Sequence, residues 1–419
     1  MNNEFAIMKL GECCVERCGD GTFFIEDDAC VVVDPVFSKS HSPVFPVEWL
    51  EQAGPRRKIF FDPSKVRGAI VTCGGLCPGL NDVIRGLTMV LWYRYGVRRI
   101  LGLRYGYEGL VSDYAHEPLN LTPEEVADIH KEGGTILGSS RGPQDVSSQV
   151  DFMIEKEINV LFSIGGDGTQ RGTLDISREV AKRGLDIAVV GIPKTIDNDI
   201  SFTERTFGFE TAVAMSRGPI TGIHNEAKGV KNGVGLVKLM GRESGFIAAY
   251  ATLASSDVNL VLLPEIPFTL PQVMSFLEDR MRRKSHAVIV VAEGAGQDLI
   301  NVAGTDKSGN KKLGDIGPFL KASINDHFKK TDMPVNVKYV DPSYTIRSAC
   351  ATADDSVFCF QLAENAVHAA MAGRTGMVVG LWNGKFVHVP VSKAVESRKQ
   401  IDPSGSLWRS ILNNTGQPF

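Results

Sequence analysis

The stretch Asn159-Val160-Leu161-Phe162-Ser163-Ile164-Gly165-Gly166-Asp167-Gly168-Thr169 decides the fold of this chain. Its first six residues form a short, nearly continuous apolar run, the pattern of a strand buried on both faces. Two glycines end the run, and a helical pattern begins near Gln170. Comparable apolar runs recur at 69–71, 187–192, 235–239, 258–263 and 287–292, with helical patterns between them. After Asn81, for example, Val83, Ile84, Leu87, Val90 and Leu91 share one helical face. Thr122-Pro123-Glu124-Glu125 reads as a capping box that opens a helix. Strand-then-helix repetition requires parallel sheets with crossover helices, so the class is α/β, with two Rossmann-like, doubly wound parallel-sheet domains. The first 65 residues lack this rhythm and read as an N-terminal extension, with a strand at 30–33.

The bulk properties exclude several function classes. The 419 residues are 43% hydrophobic and 22% charged, with a net charge of -4 and a mean hydropathy of -0.03. No basic run suits nucleic acid, and no stretch approaches the roughly 18 apolar residues of a membrane span. The start, MNNEFAIMKLGECC, has no basic segment followed by an apolar block, so no signal peptide is expected. Eight cysteines without a metal-binding spacing read as reduced thiols of a cytoplasmic protein.

In such sheets ligands bind where strands end, and glycines collect at those points here. Gly165-Gly166-Asp167-Gly168-Thr169 lets backbone N–H groups approach phosphate oxygens, and Asp167 is placed to hold Mg²⁺ against them. Gly74-Gly75, in the segment 73–81, forms a second cradle, and Arg141 in Gly138-Ser139-Ser140-Arg141-Gly142 can clamp phosphate. No segment has the Gly-Lys-Ser/Thr ending of a P-loop. Pro193-Lys194-Thr195-Ile196-Asp197-Asn198-Asp199 follows a buried run and carries two carboxylates two residues apart. If that segment is extended, Asp197 and Asp199 point the same way. One could deprotonate a hydroxyl while the other assists Mg²⁺ or tunes its partner. Lys194 and Thr195 offer a cation and a hydroxyl.

GGLCPGLN, GGDGT, PKTIDND, MGRESGF at 240–246 and AEG at 292–294 occur in order, and over about 66–390 the chain resembles the phosphofructokinase family. The resemblance implies attack of the 1-hydroxyl of fructose 6-phosphate on the terminal phosphoryl of ATP, with Mg²⁺. It implies Asp197 as general base, supported by Thr195, Asp199 and Lys194. Gly75, Arg141, Gly142, Gly166, Asp167, Gly168 and Thr169 would hold the donor, with Asp167 as the metal site. Thr195, Ile196, Asp197, Met240, Gly241, Arg242, Glu293, Tyr344 and Arg347 would bind the sugar phosphate. Residues 66–210 with 346–385 would form the donor domain, and 211–345 with 386–419 the sugar-phosphate domain. A homotetramer or homodimer, with an effector site, is implied too.

Three positions depart from the family pattern. Tyr344 stands where histidine is usual, and Gly233 where an arginine often reaches a neighbouring subunit. Lys231 is a candidate replacement, and Lys338 stands in for another arginine. The donor markers disagree. Gly168 is the ATP-type residue, since a side chain there would crowd the α-phosphate, whereas Lys194 is the pyrophosphate-type residue. Gly168 is given more weight, because ATP requires open space and a lysine can coexist with either donor. Rival readings are a kinase of the NAD or lipid type, a dinucleotide oxidoreductase and a catalytically dead regulatory subunit. The first would not carry PKTIDND with MGR and AEG, the second needs a G-x-G-x-x-G helix opening that this chain lacks, and the third would be expected to have lost Asp167 or Asp197.

Overall fold

A computed structural model describes residues 4–16, 23–36, 47–300, 304–305 and 312–419. Cys18 and parts of the N-terminal extension lie outside the described residues. The chain divides into two compact units: residues 1–195, 200–208 and 349–397, and residues 196–199, 209–348 and 398–419.

In the first unit the apolar runs become the parallel strands Arg67–Thr72, Val160–Gly165 and Ala188–Pro193, paired side by side. Arg99–Leu103 and Met377–Trp382 extend this parallel core on either side. One face, with Ala69, Val71, Leu103, Leu161 and Val189, packs on Val150 and Met153 of helix Val146–Glu155 and on Ile176 and Val180 of helix Asp167–Lys182. Helix Leu80–Met89 packs closely on helix Ala353–Met371, where a Cβ at Gly86 would lie 2.8 Å from the Ala363 Cβ.

The second unit has four parallel strands in the order Leu260–Leu262, His286–Ala292, Gly233–Leu239 and Asn336–Val340. Val288, Val290 and Ala292 enter one apolar cluster with helices Phe209–Lys228 and Phe246–Ser255. Ala287, Ile289 and Val291 enter another with helices Leu270–Lys284 and Ile316–Phe328. Each fully buried valine or isoleucine contributes about 1.5–3 kcal/mol, so both faces of one strand stabilise the layer.

The structure details the extension and the unit boundary and corrects one expectation, the helix after Thr122. The extension is integral to the first unit: Cys30–Val32 and Trp49–Gln52 add antiparallel strands beyond Lys385–Pro390. Residues 386–397 fall in the first unit, because Lys385–Pro390 pairs antiparallel with Met377–Trp382. The capping box at Thr122 makes its bond, Glu125 N–H donating to Thr122 Oγ1 at 3.3 Å, but no α-helix follows. Instead the Asn81 amide takes the carbonyls of Ile129 and Glu132, satisfying backbone groups that a longer helix would have paired. Among the described residues, no helix is long and apolar enough to cross a membrane, and the cysteines form no disulfide.

A buried ion network pins the extension. Glu51 Oε1 accepts from Arg56 Nη2 at 3.2 Å and Arg374 Nε at 2.9 Å, and lies 3.2 Å from His388 Nδ1. Glu51→Ala would strand two buried guanidinium groups and is expected to cost about 3–5 kcal/mol in urea unfolding followed by circular dichroism. An unchanged midpoint would contradict this anchoring role.

Candidate functional site

The unit division passes through the 193–199 segment: Lys194 and Thr195 belong to the first unit, Ile196–Asp199 to the second. The site residues are therefore built in two groups.

In the first unit, the ends of three neighbouring parallel strands are laced together through backbone groups. Cys73 N–H donates to Ile164 O and Lys194 N–H to Gly165 O, each at 2.9 Å. Gln170 Nε2 donates to Gly165 O at 2.8 Å and Ile192 O at 3.1 Å. Lys194 Nζ donates to Gly75 O at 2.6 Å, so the lysine ties the first glycine turn to the third strand end. The Arg141 loop joins them, with Gly74 N–H donating to Ser140 O and Ser139 Oγ to Gly74 O. Arg141 comes so close to Gly75 that a Cβ there would sit 3.2 Å from Nη2. The predicted donor residues Gly75, Arg141, Gly166, Asp167, Gly168 and Thr169 are thus carried by neighbouring turns, with Gly142 next to Arg141.

Helix Asp167–Lys182 starts in this cluster with Gly166, which has no side chain to cap it, at the N-cap, and a helix N-terminus of this kind favours an anion. Asp167 is the first helical residue, and its Oδ2 lies 3.3 Å from Arg171 Nε. A Cβ at Gly168 would meet nothing within 4 Å, which leaves the space beside the helix start open. Thr195 is oriented through its carbonyl, which accepts from Thr206 Oγ1 at 2.6 Å.

In the second unit, the turns after Gly233–Leu239 and His286–Ala292 lock together. Glu293 N–H donates to Leu239 O and Gly294 N–H to Gly241 O, each at 2.9 Å. A Cβ on Gly294 would lie 1.8 Å from the Arg242 carbonyl, so only glycine permits this approach. The Arg242 N–H in turn donates to Asp197 Oδ2 at 3.3 Å. Asp197, Arg242 and Glu293 are thereby brought together. Arg347 stacks 4.9 Å over the ring of Tyr344, which is 80% exposed. Met240 turns its side chain into the apolar cluster with Ile346 and Phe246, so only its backbone is available to a ligand.

The expected alternation of Asp197 and Asp199 does not hold, because Asn198 has φ +56° and bends the chain there. Proximity of the two carboxylates comes from this turn. Loss of solvent, followed by the charges of Asp199 and Glu293, pushes the Asp197 carboxyl up from 3.8 to about 8. The Arg242 N–H and the Arg398 guanidinium act the other way. Arg398 was not singled out in the sequence: its Nη1 donates to Asp199 Oδ2 at 2.6 Å and its Nε lies 3.0 Å from Glu243 Oε2. Nothing in the local sequence could flag it, since 199 positions separate it from Asp199. Arg171, by contrast, was readable as the i+4 partner of Asp167.

The family departures are also placed. A side chain at Gly233 would begin 2.1 Å from the Ala227 carbonyl, so an arginine does not fit there. Lys231 is exposed, and Lys338 Nζ lies 4.0 Å from Glu226 Oε2.

A sequence profile of the family described as Phosphofructokinase matches residues 67–370. The ATP-dependent 6-phosphofructokinase of Borreliella burgdorferi is 51% identical over 381 residues, covering 88% of this chain and 85% of that one. One from Amycolatopsis methanolica is 50% identical over 405 residues, covering 94% and 87%. The solved pyrophosphate-dependent phosphofructokinase of Marinobacter aquaeolei has a TM-score of 0.70 at 18% identity, covering 84% of this chain and 91% of that one, a likeness of fold.

The two glycines at the ligand edges should respond oppositely to alanine. Gly294→Ala forces backbone apart and is expected to cost about 1–3 kcal/mol in thermal unfolding. Gly168→Ala meets open space inside a helix and should leave the melting temperature unchanged or raised. Equal losses would contradict the placement of both turns.

Proposed function

The chain belongs to the phosphofructokinase family, and on that premise we propose that it transfers the terminal phosphoryl of ATP to the 1-hydroxyl of fructose 6-phosphate. The product is fructose 1,6-bisphosphate, and the step is glycolytic. The open space at Gly168 carries the choice of ATP, since it leaves room for a nucleotide's α-phosphate. Near 50% identity to relatives named ATP-dependent supports the same choice. Lys194 is the one residue that favours pyrophosphate. Its bond to the Gly75 carbonyl gives it a loop-tying role compatible with either donor.

In this reading the glycine turns, Arg141 and the start of helix Asp167–Lys182 receive the donor phosphates. No group of three His, Cys, Asp or Glu able to hold a metal occurs among the described residues. A single carboxylate completed by phosphate oxygens is how Mg²⁺ is usually held with nucleotides, and Asp167, with its side chain 30% exposed, suits that arrangement. The ion would neutralise charge on the transferred group. Arg242, Arg347 and Tyr344 receive the sugar phosphate, Glu293 its hydroxyls, and Asp197 takes the proton from the attacking hydroxyl. We assign the chain to the cytoplasm and expect a homodimer or homotetramer.

A coupled assay with Mg²⁺ and fructose 6-phosphate should give turnover with ATP and little with pyrophosphate. Gly168→Asp should fold normally yet lose ATP use; an unchanged ATP rate would sink the steric basis of donor choice.

Asp197→Asn should lower kcat by about 10²–10⁴-fold. Because a base must be ionised and Asp197 is held near 8, kcat/KM should climb as pH rises through neutrality. Asp199→Asn removes a repelling charge and should move that limb to lower pH, whereas Arg398→Met should move it higher. A limb that stays in place in both variants would exclude Asp197 as the titrating base.

A further inference from the structure

Strand Gly233–Leu239 alternates faces, with Val237 and Leu239 in one apolar cluster and Val234 and Leu236 in the other. By that alternation Lys238 falls where a further apolar residue belongs, and its side chain is only 12% exposed. A buried ammonium is costly unless paired, and here two carboxylates meet it. Lys238 Nζ lies 2.9 Å from Asp315 Oδ1 and 2.9 Å from Asp341 Oδ2.

Each carboxylate leads to a different part of the sugar-phosphate group. Asp341 accepts from the backbone N–H and the hydroxyl of Ser343, the first residue of helix Ser343–Arg347, which carries Tyr344 and Arg347. Asp315 precedes helix Ile316–Phe328 and follows Gly314. Gly314 is clasped by Gln297, whose Oε1 accepts the Gly314 N–H at 2.8 Å and whose Nε2 donates to Gly314 O at 3.1 Å. The same Nε2 donates to Glu293 O at 2.8 Å. One ammonium therefore connects the strand that leads into Met240, Gly241 and Arg242 to the Arg347 helix and to the backbone of Glu293. Burial raises the Glu293 pKa, while the charges of Arg347, Lys238 and Arg242 oppose that rise.

Resting on the sugar-phosphate reading above, we infer that Lys238 is a positioning residue for the acceptor: by bridging Asp315 and Asp341 it holds Arg347 and Glu293 in the geometry that receives fructose 6-phosphate. Without the ammonium, two carboxylates face each other across the gap and push the Arg347 helix from the strand. The donor turns of the first unit contain none of these groups, so the defect falls on one substrate.

The test compares Lys238→Met, Lys238→Arg and Asp341→Asn in the full chain, with steady-state kinetics for each substrate. Lys238→Met should raise the KM for fructose 6-phosphate about ten- to a hundredfold, with kcat and the KM for ATP little changed. Lys238→Arg, which keeps two donors, should recover most of the loss. The double variant Lys238→Met/Asp341→Asn should be no worse than Lys238→Met, since both remove one link. Additive effects, or parallel losses for both substrates, would overturn the proposal. Should Lys238→Met fail to fold, Asp315→Asn and Asp341→Asn each sever one arm and must each raise the same KM; an unchanged KM in either overturns it. Arg347→Gln separates the two levels of inference. A raised KM there beside an unchanged one in Lys238→Met overturns only the role of Lys238. Unchanged values in both overturn the sugar-phosphate reading as well.

Discussion

Strands buried on both faces leave the chain only one place to turn. In each unit the parallel strands are covered by helices above and below, so the polar backbone emerges at the strand ends, and the carboxyl ends of parallel strands share one edge. The backbone groups there must still be paired. The pairs Cys73 to Ile164, Lys194 to Gly165, Glu293 to Leu239 and Gly294 to Gly241 do this turn against turn. The same bonds that satisfy the fold therefore gather the residues proposed to face the ligands. Glycine at 294 follows from this constraint, since the partner backbone occupies the space of a side chain.

Charge at these edges is handled by partners from distant parts of the chain. Asp197 is cut off from solvent and sits beside two other carboxylates, a costly arrangement that raises its proton affinity and suits the base role proposed for it. Arg398, supplied by the C-terminal segment, restrains Asp199 and keeps that cluster from excess negative charge. Lys238 serves the opposite case, one cation between two carboxylates. At Arg398–Asp199 and at Lys238–Asp315 an ion pair joins segments that hydrogen-bonded strands alone do not connect, whereas Lys238–Asp341 reinforces two strands already paired.

The N-terminal segment follows the same logic at the other end of the chain. Its two strands extend the first sheet, and Glu51 draws Arg56, Arg374 and His388 into a network with little solvent contact. Of this, only the strand near 30–33 was legible beforehand. The two strands are three and four residues long, and the network's members lie as much as 337 positions apart. Residues 122–125 taught the converse lesson. A correct capping signal was read as a helix, yet the chain goes on in turns, with Asn81 pairing the carbonyls of Ile129 and Glu132 further along.

The sequence by itself determined the α/β class, the central strands, and the turns that carry Gly75, Asp167, Lys194, Asp197, Arg242 and Glu293. These are local properties, because an apolar run, a glycine and the residue after it are neighbours in the chain. Only the tertiary structure decided that Asn198 bends the Asp197–Asp199 segment, that Met240 faces the core, that Gly233 has no room for a side chain, and that Arg398 and Lys238 find their carboxylates. Pairing energy depends on distance in space, and folding alone brings residues from remote positions within reach of one another.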